Sequence, residues 1–319
     1  MIPSFLSIQE ARRLLARYWP VTRLVPAPSL ARAKSTAVYL KLESELPTGS
    51  FKPRGALYAL AVNLERRKIM EVVASSTGNH GAAVAYAAHL LGVPARIFLP
   101  SGANPVKRAR IASLGAHIVE QGAADLAEAF ELASKYAHQD GVFFLNDATD
   151  PDLPAGPATI ACEIVEQLPD ADTIFVPMGD TALIRGVAAA AKHLSPGVRI
   201  IGVQAERAPS YALSWQQNRV VETDTCDTIA DGLSTRLPDE ANVRAIRQLV
   251  DEVVLVSEAE MLRAIRHLLM EEHVVAEPAG AAAMAAFQKS RSVSAKNVVL
   301  LVSGANIAPE ILRRAVTEN

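Results

Sequence analysis

Two short runs carry residue types able to do covalent chemistry. In Ser50-Phe51-Lys52-Pro53-Arg54-Gly55-Ala56 an amine stands among a hydroxyl, an aromatic ring and a glycine, and Ser75-Ser76-Thr77-Gly78-Asn79-His80-Gly81 gathers hydroxyl, amide and imidazole groups around glycines. A lysine amine can form a Schiff base with a carbonyl compound. A glycine-punctuated polar loop can bind a small anion through its backbone N–H groups. Two further runs are similar in kind, Met178-Gly179-Asp180-Thr181-Ala182-Leu183 and Ser303-Gly304-Ala305-Asn306.

These loops need elements to position them. Short β-branched runs alternate with Ala/Leu-rich segments of helical length: 38–40, 72–74, 95–99, 117–119 and 142–145, then 173–176, 198–203, 253–256 and 298–302. Strand, helix, strand repetition implies an α/β fold with parallel sheets wrapped by helices. Apolar runs without in–out alternation fit strands covered on both faces. Open α/β sheets bind ligands beyond the carboxyl ends of their strands. The loops opening at Ser75, Met178 and Ser303 all fall at such ends, so one shared site is expected. The Pro/Asp-bearing segment from Asn146 to Gly156 reads as a crossover between two sets of repeats.

A chain of 319 residues, 50% of them hydrophobic, exceeds the usual size of a single core, so two domains are expected. Its formal net charge is −2, with 32 basic and 34 acidic residues, so it carries no electrostatic footprint for nucleic acid or an anionic membrane. Small molecules or further copies of the chain are the expected partners. Met1 to Gln9 lack a secretory pattern, and no apolar stretch reaches the roughly 18 residues that would span a bilayer. A cytoplasmic location is expected by default. Cys162 and Cys226 have no paired spacing, which argues against a disulfide framework or a zinc site and makes them packing residues.

The chain resembles the fold-type II pyridoxal 5′-phosphate (PLP) enzymes, which are tryptophan synthase β-like, and particularly their serine/threonine dehydratase and serine racemase branch. The resemblance rests on Leu40-Lys41-Leu42-Glu43, Gly49 to Ala56, Ser76 to Gly81, Thr228-Ile229-Ala230-Asp231-Gly232, Glu277-Pro278-Ala279-Gly280-Ala281 and Ser303-Gly304-Ala305-Asn306. It implies an α/β chain of two parallel-sheet, three-layer domains, a large PLP-binding one of residues 1–53 and 151–319 and a small inserted one of 54–150. It also implies a homodimer and a small amino-acid substrate.

Residue by residue, the resemblance makes Lys52 the amine that binds PLP, is displaced by the substrate amine and then serves as base at Cα, its pKa lowered by desolvation or a nearby cation. Phe51 lies beside it. Asn79 is expected to bond the cofactor's phenolic oxygen. Ser76, Thr77, Gly78, Asn79 and His80 are expected to hold the substrate carboxylate, although the same residues could simply cap a helix, and His80 could be a packed histidine. Ser303 is expected at the pyridine nitrogen, where a neutral hydroxyl weakens the electron sink and suits elimination. Glu277 is expected near the cofactor plane. Thr77, a candidate catalytic residue, stands where racemases of the branch place a serine that protonates the opposite face at Cα; its methyl group restricts χ1 and favours elimination.

The phosphate loop departs from the family's run of glycines, since Gly179, Asp180, Thr181, Ala182 and Leu183 stand there. Thr181 adds a hydroxyl donor. Asp180 beside a phosphate is repulsive unless it points away, caps the helix beginning near Leu183, or pairs with Arg185; a structural cap is the expectation. Gln204 and Ser210 replace carboxylates with which some relatives bind divalent cations, so no metal is expected. The implied activity is β-elimination of a β-hydroxy amino acid, such as serine or threonine, to a 2-oxo acid and ammonia. β-Replacement, racemisation and a non-catalytic binding role remain alternatives. With the chain ending at Asn319, feedback control through a C-terminal regulatory domain is not expected.

Overall fold

In the computed structural model the described residues are 1–319 without 31–35, 77, 102–104, 125, 291–294 and 319, and only the backbone course of 105–107 is described. In chain order the strands are β1 (Leu24–Pro26), β2 (Ala37–Leu42), β3 (Glu71–Ser75), β4 (Ala95–Phe98), β5 (His117–Val119), β6 (Val142–Phe144), β7 (Thr173–Pro177), β8 (Arg199–Ala205), β9 (Glu252–Val256) and β10 (Asn297–Val302). They form a six-stranded sheet ordered β1-β2-β10-β7-β8-β9 and a four-stranded sheet ordered β5-β4-β3-β6. Every strand run singled out from the sequence is a strand, and all pair in parallel. β1 was not anticipated. It lies antiparallel against β2 at the sheet edge and ends on Pro26, which an edge strand tolerates because proline has no N–H to give the ladder.

Both faces of the large sheet are covered, as its continuous apolar runs required. β7 is buried at every position. The Ala-rich helix Pro278–Lys289 crosses β7 to β10, its small side chains allowing close approach while Phe287 meets Phe175 edge-on, ring centroids 6.0 Å apart. The helix Lys52–Arg66 packs on Asn79–Leu91 beside the small sheet and on Ala155–Gln167 beside the large one. Gly156 sits so near the Arg54 carbonyl that any Cβ would overlap it. Cys162 is buried and Cys226 partly so, both free thiols. No described helix is long and apolar enough to cross a membrane.

A charged cluster that no local sequence pattern announces fills the junction of these elements. Arg54 is 1% exposed. Its Nε donates to Glu43 Oε2 at 2.7 Å, Nη1 to Glu163 Oε1 at 2.6 Å and to Thr159 Oγ1 at 2.8 Å. Lys41 Nζ donates to Glu163 Oε2 at 2.6 Å and to Gln167 Oε1 at 2.9 Å. Two cations thus face two carboxylates away from water, two residues beyond Lys52.

Candidate active site

Lys52 is the first residue of its helix, and Pro53 suits that first turn because its missing N–H would have no partner there. The preceding Phe51 N–H donates to the Ser303 carbonyl at 3.0 Å, and Ser50 bridges Gly304, so the end of β10 fixes the base of Lys52. The Lys52 amine lies 5.5 Å from the Phe51 ring centroid and donates to Asp147 Oδ2. Burial pulls the amine's pKa down, but Asp147, then Asp180 and Glu277, outweigh it and hold the amine above its ordinary range. That reverses the expected sign: its neighbours are carboxylates, not a cation.

Asp147 was missed by sequence reasoning. β3 and β6 pair in register, Val73 opposite Phe144, and Leu145 N–H donates to Val73 O at 2.9 Å. This sets the start of the 146–156 segment beside the loop following β3. His80, 5% exposed, has Nε2 2.8 Å from the Leu145 carbonyl and Nδ1 3.8 Å from Asp147 Oδ2. His80 therefore has the packed placement, and burial, against the pull of Asp147, lowers its pKa. Burial opposes ionisation of Asp147, but His80 and Lys52 together hold it well below the usual carboxylate range. An acidic residue shortly after a strand's carboxyl end was the available signal.

The helix Asn79–Leu91 begins after Gly78 with no side-chain cap, correcting the expectation of Ser/Thr/Asn capping. Ser76 Oγ instead accepts from Gly78 N–H at 3.2 Å. The first N–H groups of this helix are left to bind an anion. Thr77, assigned to substrate and proton transfer above, lies outside the described residues. Asn79 Nδ2 donates to Glu277 Oε1 at 2.7 Å, Asn79 Oδ1 accepts from Asn306 Nδ2 at 2.6 Å, and Arg110 donates to Asn306 Oδ1. Gly304 makes room for Glu277, whose carboxylate occupies the place a Cβ would take. Ser303 is 4% exposed at the end of β10.

Gly179 lies against the Gly232 carbonyl with no space for a Cβ, which locks the 179–183 loop to the Thr228–Gly232 segment. Thr181 takes φ 68°, a left-handed conformation that glycine adopts freely and a β-branched residue resists, at a cost on the order of 1–3 kcal/mol. Its buried Oγ1 has no hydrogen-bond partner. It precedes the helix Ala182–Leu194, which also starts without a side-chain cap, with Ala182 and Leu183 buried. Asp180 neither caps that helix nor pairs with Arg185. Its Oδ1 accepts from Thr235 Oγ1 at 2.9 Å, while Arg185 donates to the Met1 and Ala148 carbonyls at 3.0 and 3.2 Å. The reason is reach: the left-handed turn at Thr181 separates Asp180 from the helix start. Burial, then repulsion from Asp147, pushes the Asp180 carboxyl up to about 6.

A primary amine, an orphaned hydroxyl and two uncapped helix starts fit a phosphate-bearing carbonyl cofactor. Lys52 could take its carbonyl, Thr181 and the N–H groups of 179–183 its phosphate, and Ser303 its ring nitrogen. Gln204 Oε1 accepts from Ala212 N–H at 2.9 Å and Ser210 Oγ donates to the Thr235 carbonyl at 2.6 Å, so both serve packing. No group of three or more potential metal ligands occurs among the described residues.

Comparison with known proteins agrees with this geometry. Residues 16–304 match the model of the pyridoxal-phosphate dependent enzymes, and the chain belongs to that family. It is 37% identical over 311 residues to an L-threonine ammonia-lyase of Thermotoga maritima, covering 98% of this chain and 77% of that one. It is 35% identical over 273 residues to a catabolic L-threonine dehydratase of Escherichia coli, covering 85% and 83%. Among solved structures, maize serine racemase superposes with a TM-score of 0.92 at 29% identity over 99% of this chain and 97% of that one. The processed threonine deaminase isoform 2 of Solanum lycopersicum does so with 0.90 at 30% over 98% and 88%. The fold is that of the fold-type II enzymes, and the cofactor is PLP.

Proposed function

We propose that this enzyme is a PLP-dependent ammonia-lyase that converts threonine or serine to a 2-oxo acid and ammonia. The carrying observation is that the Lys52 amine feels both Asp180, two residues before the uncapped helix start at Ala182, and Glu277, which accepts from Asn79 at the other uncapped start. L-Threonine ammonia-lyases of about one-third identity support it. When bound, PLP supplies an electron-withdrawing ring that acidifies the Cα–H bond of an attached amino acid. Lys52 would anchor the cofactor, and its amine, when free, would take the Cα proton of the substrate. The N–H groups at the Asn79 helix start, with Ser76, hold the substrate carboxylate, and those of 179–183 with Thr181 Oγ1 hold the phosphate. Phe51, Asn79 and Glu277 would flank the cofactor's ring, and the neutral Ser303 hydroxyl would face its nitrogen. A neutral partner there would leave the ring a weak sink for the Cα electron pair, which favours loss of the β-hydroxyl as the proton is removed.

The test is 2-oxo acid and ammonia release from a panel of L- and D-amino acids by the PLP-loaded protein. Product from L-threonine or L-serine is expected; cofactor-loaded protein releasing none from any β-hydroxy amino acid refutes the reading. The likeness to maize serine racemase makes racemisation the competitor, and a change of optical rotation without ammonia would establish it. We further assign residues 1–53 with 151–319 and residues 54–150 to separate domains, and the chain to a cytoplasmic homodimer, which sedimentation and fractionation test.

Asp180 makes cofactor affinity pH-dependent. Its raised pKa means that the neutral acid is favoured in the fold, and ionisation above about pH 6 places a buried charge in the phosphate loop. Asp180→Asn keeps an acceptor for Thr235 and is expected to tighten PLP binding roughly tenfold at pH 8, with little change at pH 5. Fluorescence titration of both proteins at the two pH values checks this, the phosphate's own ionisation cancelling in the comparison.

A further inference from the structure

Asp147 has no part in the roles assigned above, yet its carboxylate binds the amine on which they depend. His80 offers it no donor. Nε2 meets the Leu145 carbonyl, and Nδ1 is buried without a hydrogen-bond partner, its 3.8 Å to Asp147 Oδ2 being beyond hydrogen-bond reach. The side-chain hydrogen bond of this carboxylate, 19% exposed, therefore comes from Lys52. A buried carboxylate whose donor is an amine is satisfied best when that amine is an ammonium.

We propose that Asp147 is a positioning residue that makes Lys52 a competent base, docking the freed amine and stabilising the ammonium formed when the Cα proton arrives. This rests on the assignment of Lys52 as the base of the elimination. In that step the Cα–H bond breaks, the proton becomes the third on Nζ, and the electron pair expels the β-hydroxyl, which leaves as water on taking a proton from solvent. Lys52 later returns its own proton to solvent, so the site is restored. The groups facing Lys52 are the acids Asp147, Asp180 and Glu277 and the His80 ring; Asp147 faces Lys52, His80 and Asp180, with Arg185 in electrostatic reach. The net upward displacement of the amine's pKa agrees with this, since burial alone would act the other way.

Asp147→Asn removes the charge and keeps the shape. In the holoenzyme the acid limb of the kcat profile reports loss of the neutral amine on protonation, and removing a carboxylate lowers the amine's pKa. The limb is expected to move to lower pH by about one unit or more, while the plateau kcat falls roughly 10- to 100-fold because the base is weaker. Asp147→Glu keeps the charge and should return the limb toward its wild-type position; it also serves if the asparagine variant folds poorly. A second readout is the pH dependence of PLP uptake by the full chain freed of cofactor, followed by absorbance; its midpoint should shift downward in the asparagine variant. A merely structural role would lower the plateau and leave both pH curves in place, which would overturn the inference. Should the wild-type enzyme release no 2-oxo acid, the proposed function falls, while the uptake curves still decide the pairing of Asp147 with Lys52.

Discussion

Lys52→Ala will lose turnover by about 10⁴-fold or more, because under the proposed function it removes the cofactor's anchor and the base together. The fold should survive. Lys52 starts its helix, alanine is a good helix former, and the side chain is partly exposed, at 19%. The cost in stability falls on Asp147, which loses its donor, and is on the order of 1–3 kcal/mol. Three measurements separate these effects. Reduction by borohydride should add the cofactor's mass to the wild-type chain and none to the variant. The thermal midpoint should fall only modestly, and a small primary amine added to the assay should restore part of the activity by standing in for the missing side chain. Release of 2-oxo acid by the variant at the wild-type rate would remove Lys52 from the mechanism.

Much of this site was legible because its loops follow apolar runs. The strands at 72–74, 173–176 and 298–302 are unmistakable, and a parallel sheet carries what comes next to one edge. Asp147 was not legible in the same way. It stands in a segment whose Pro and Asp residues read as a crossover, and its importance comes from the register of β6 against β3, which no local pattern encodes. Asp180 illustrates a second limit. An aspartate two residues before a helix resembles a cap, but the left-handed turn at Thr181 and a hydroxyl 55 residues away, on Thr235, decide its partner. The sign of the Lys52 shift was misread because only the lysine, and not the carboxylates arriving from three other segments, is visible in its own motif. Arg54 was passed over because arginine is ordinarily a surface residue. Its burial emerges only when the segments holding Thr22, Lys41, Glu43, Thr159 and Glu163 meet around it.

Glu163→Gln tests how far the junction depends on that charge balance. Glu163 accepts from Arg54 at 2.6 and 2.9 Å and from Lys41 at 2.6 Å, and Thr22 N–H and hydroxyl donate to it at 3.3 and 3.1 Å. The amide keeps the shape but leaves Arg54 and Lys41 to share Glu43, one uncompensated positive charge in a site closed to water. Breaking a buried pair in this way costs about 3–5 kcal/mol, most of it the penalty of the stranded cation rather than the worth of the lost bonds. The pH dependence follows from the direction of the shifts. Burial opposes ionisation of Glu163, but Arg54 and then Lys41 overcome it and hold the acid below its ordinary range. Its contribution is therefore complete above the unfolded glutamate pKa of 4.5 and fades as the pH falls through the lower folded value. Urea midpoints of wild type and variant should differ most near pH 7 and converge toward pH 3. At the alkaline end the gap should narrow again, since burial already pulls Lys41 downward and the variant can shed that proton. A midpoint difference that stayed constant from pH 3 to pH 9 would mean that packing, not charge, holds the junction. Because Arg54 lies in the first turn of the Lys52 helix, amide exchange in that turn should quicken in the variant before the sheets themselves open, linking the stability of the junction to the placement of the Lys52 amine.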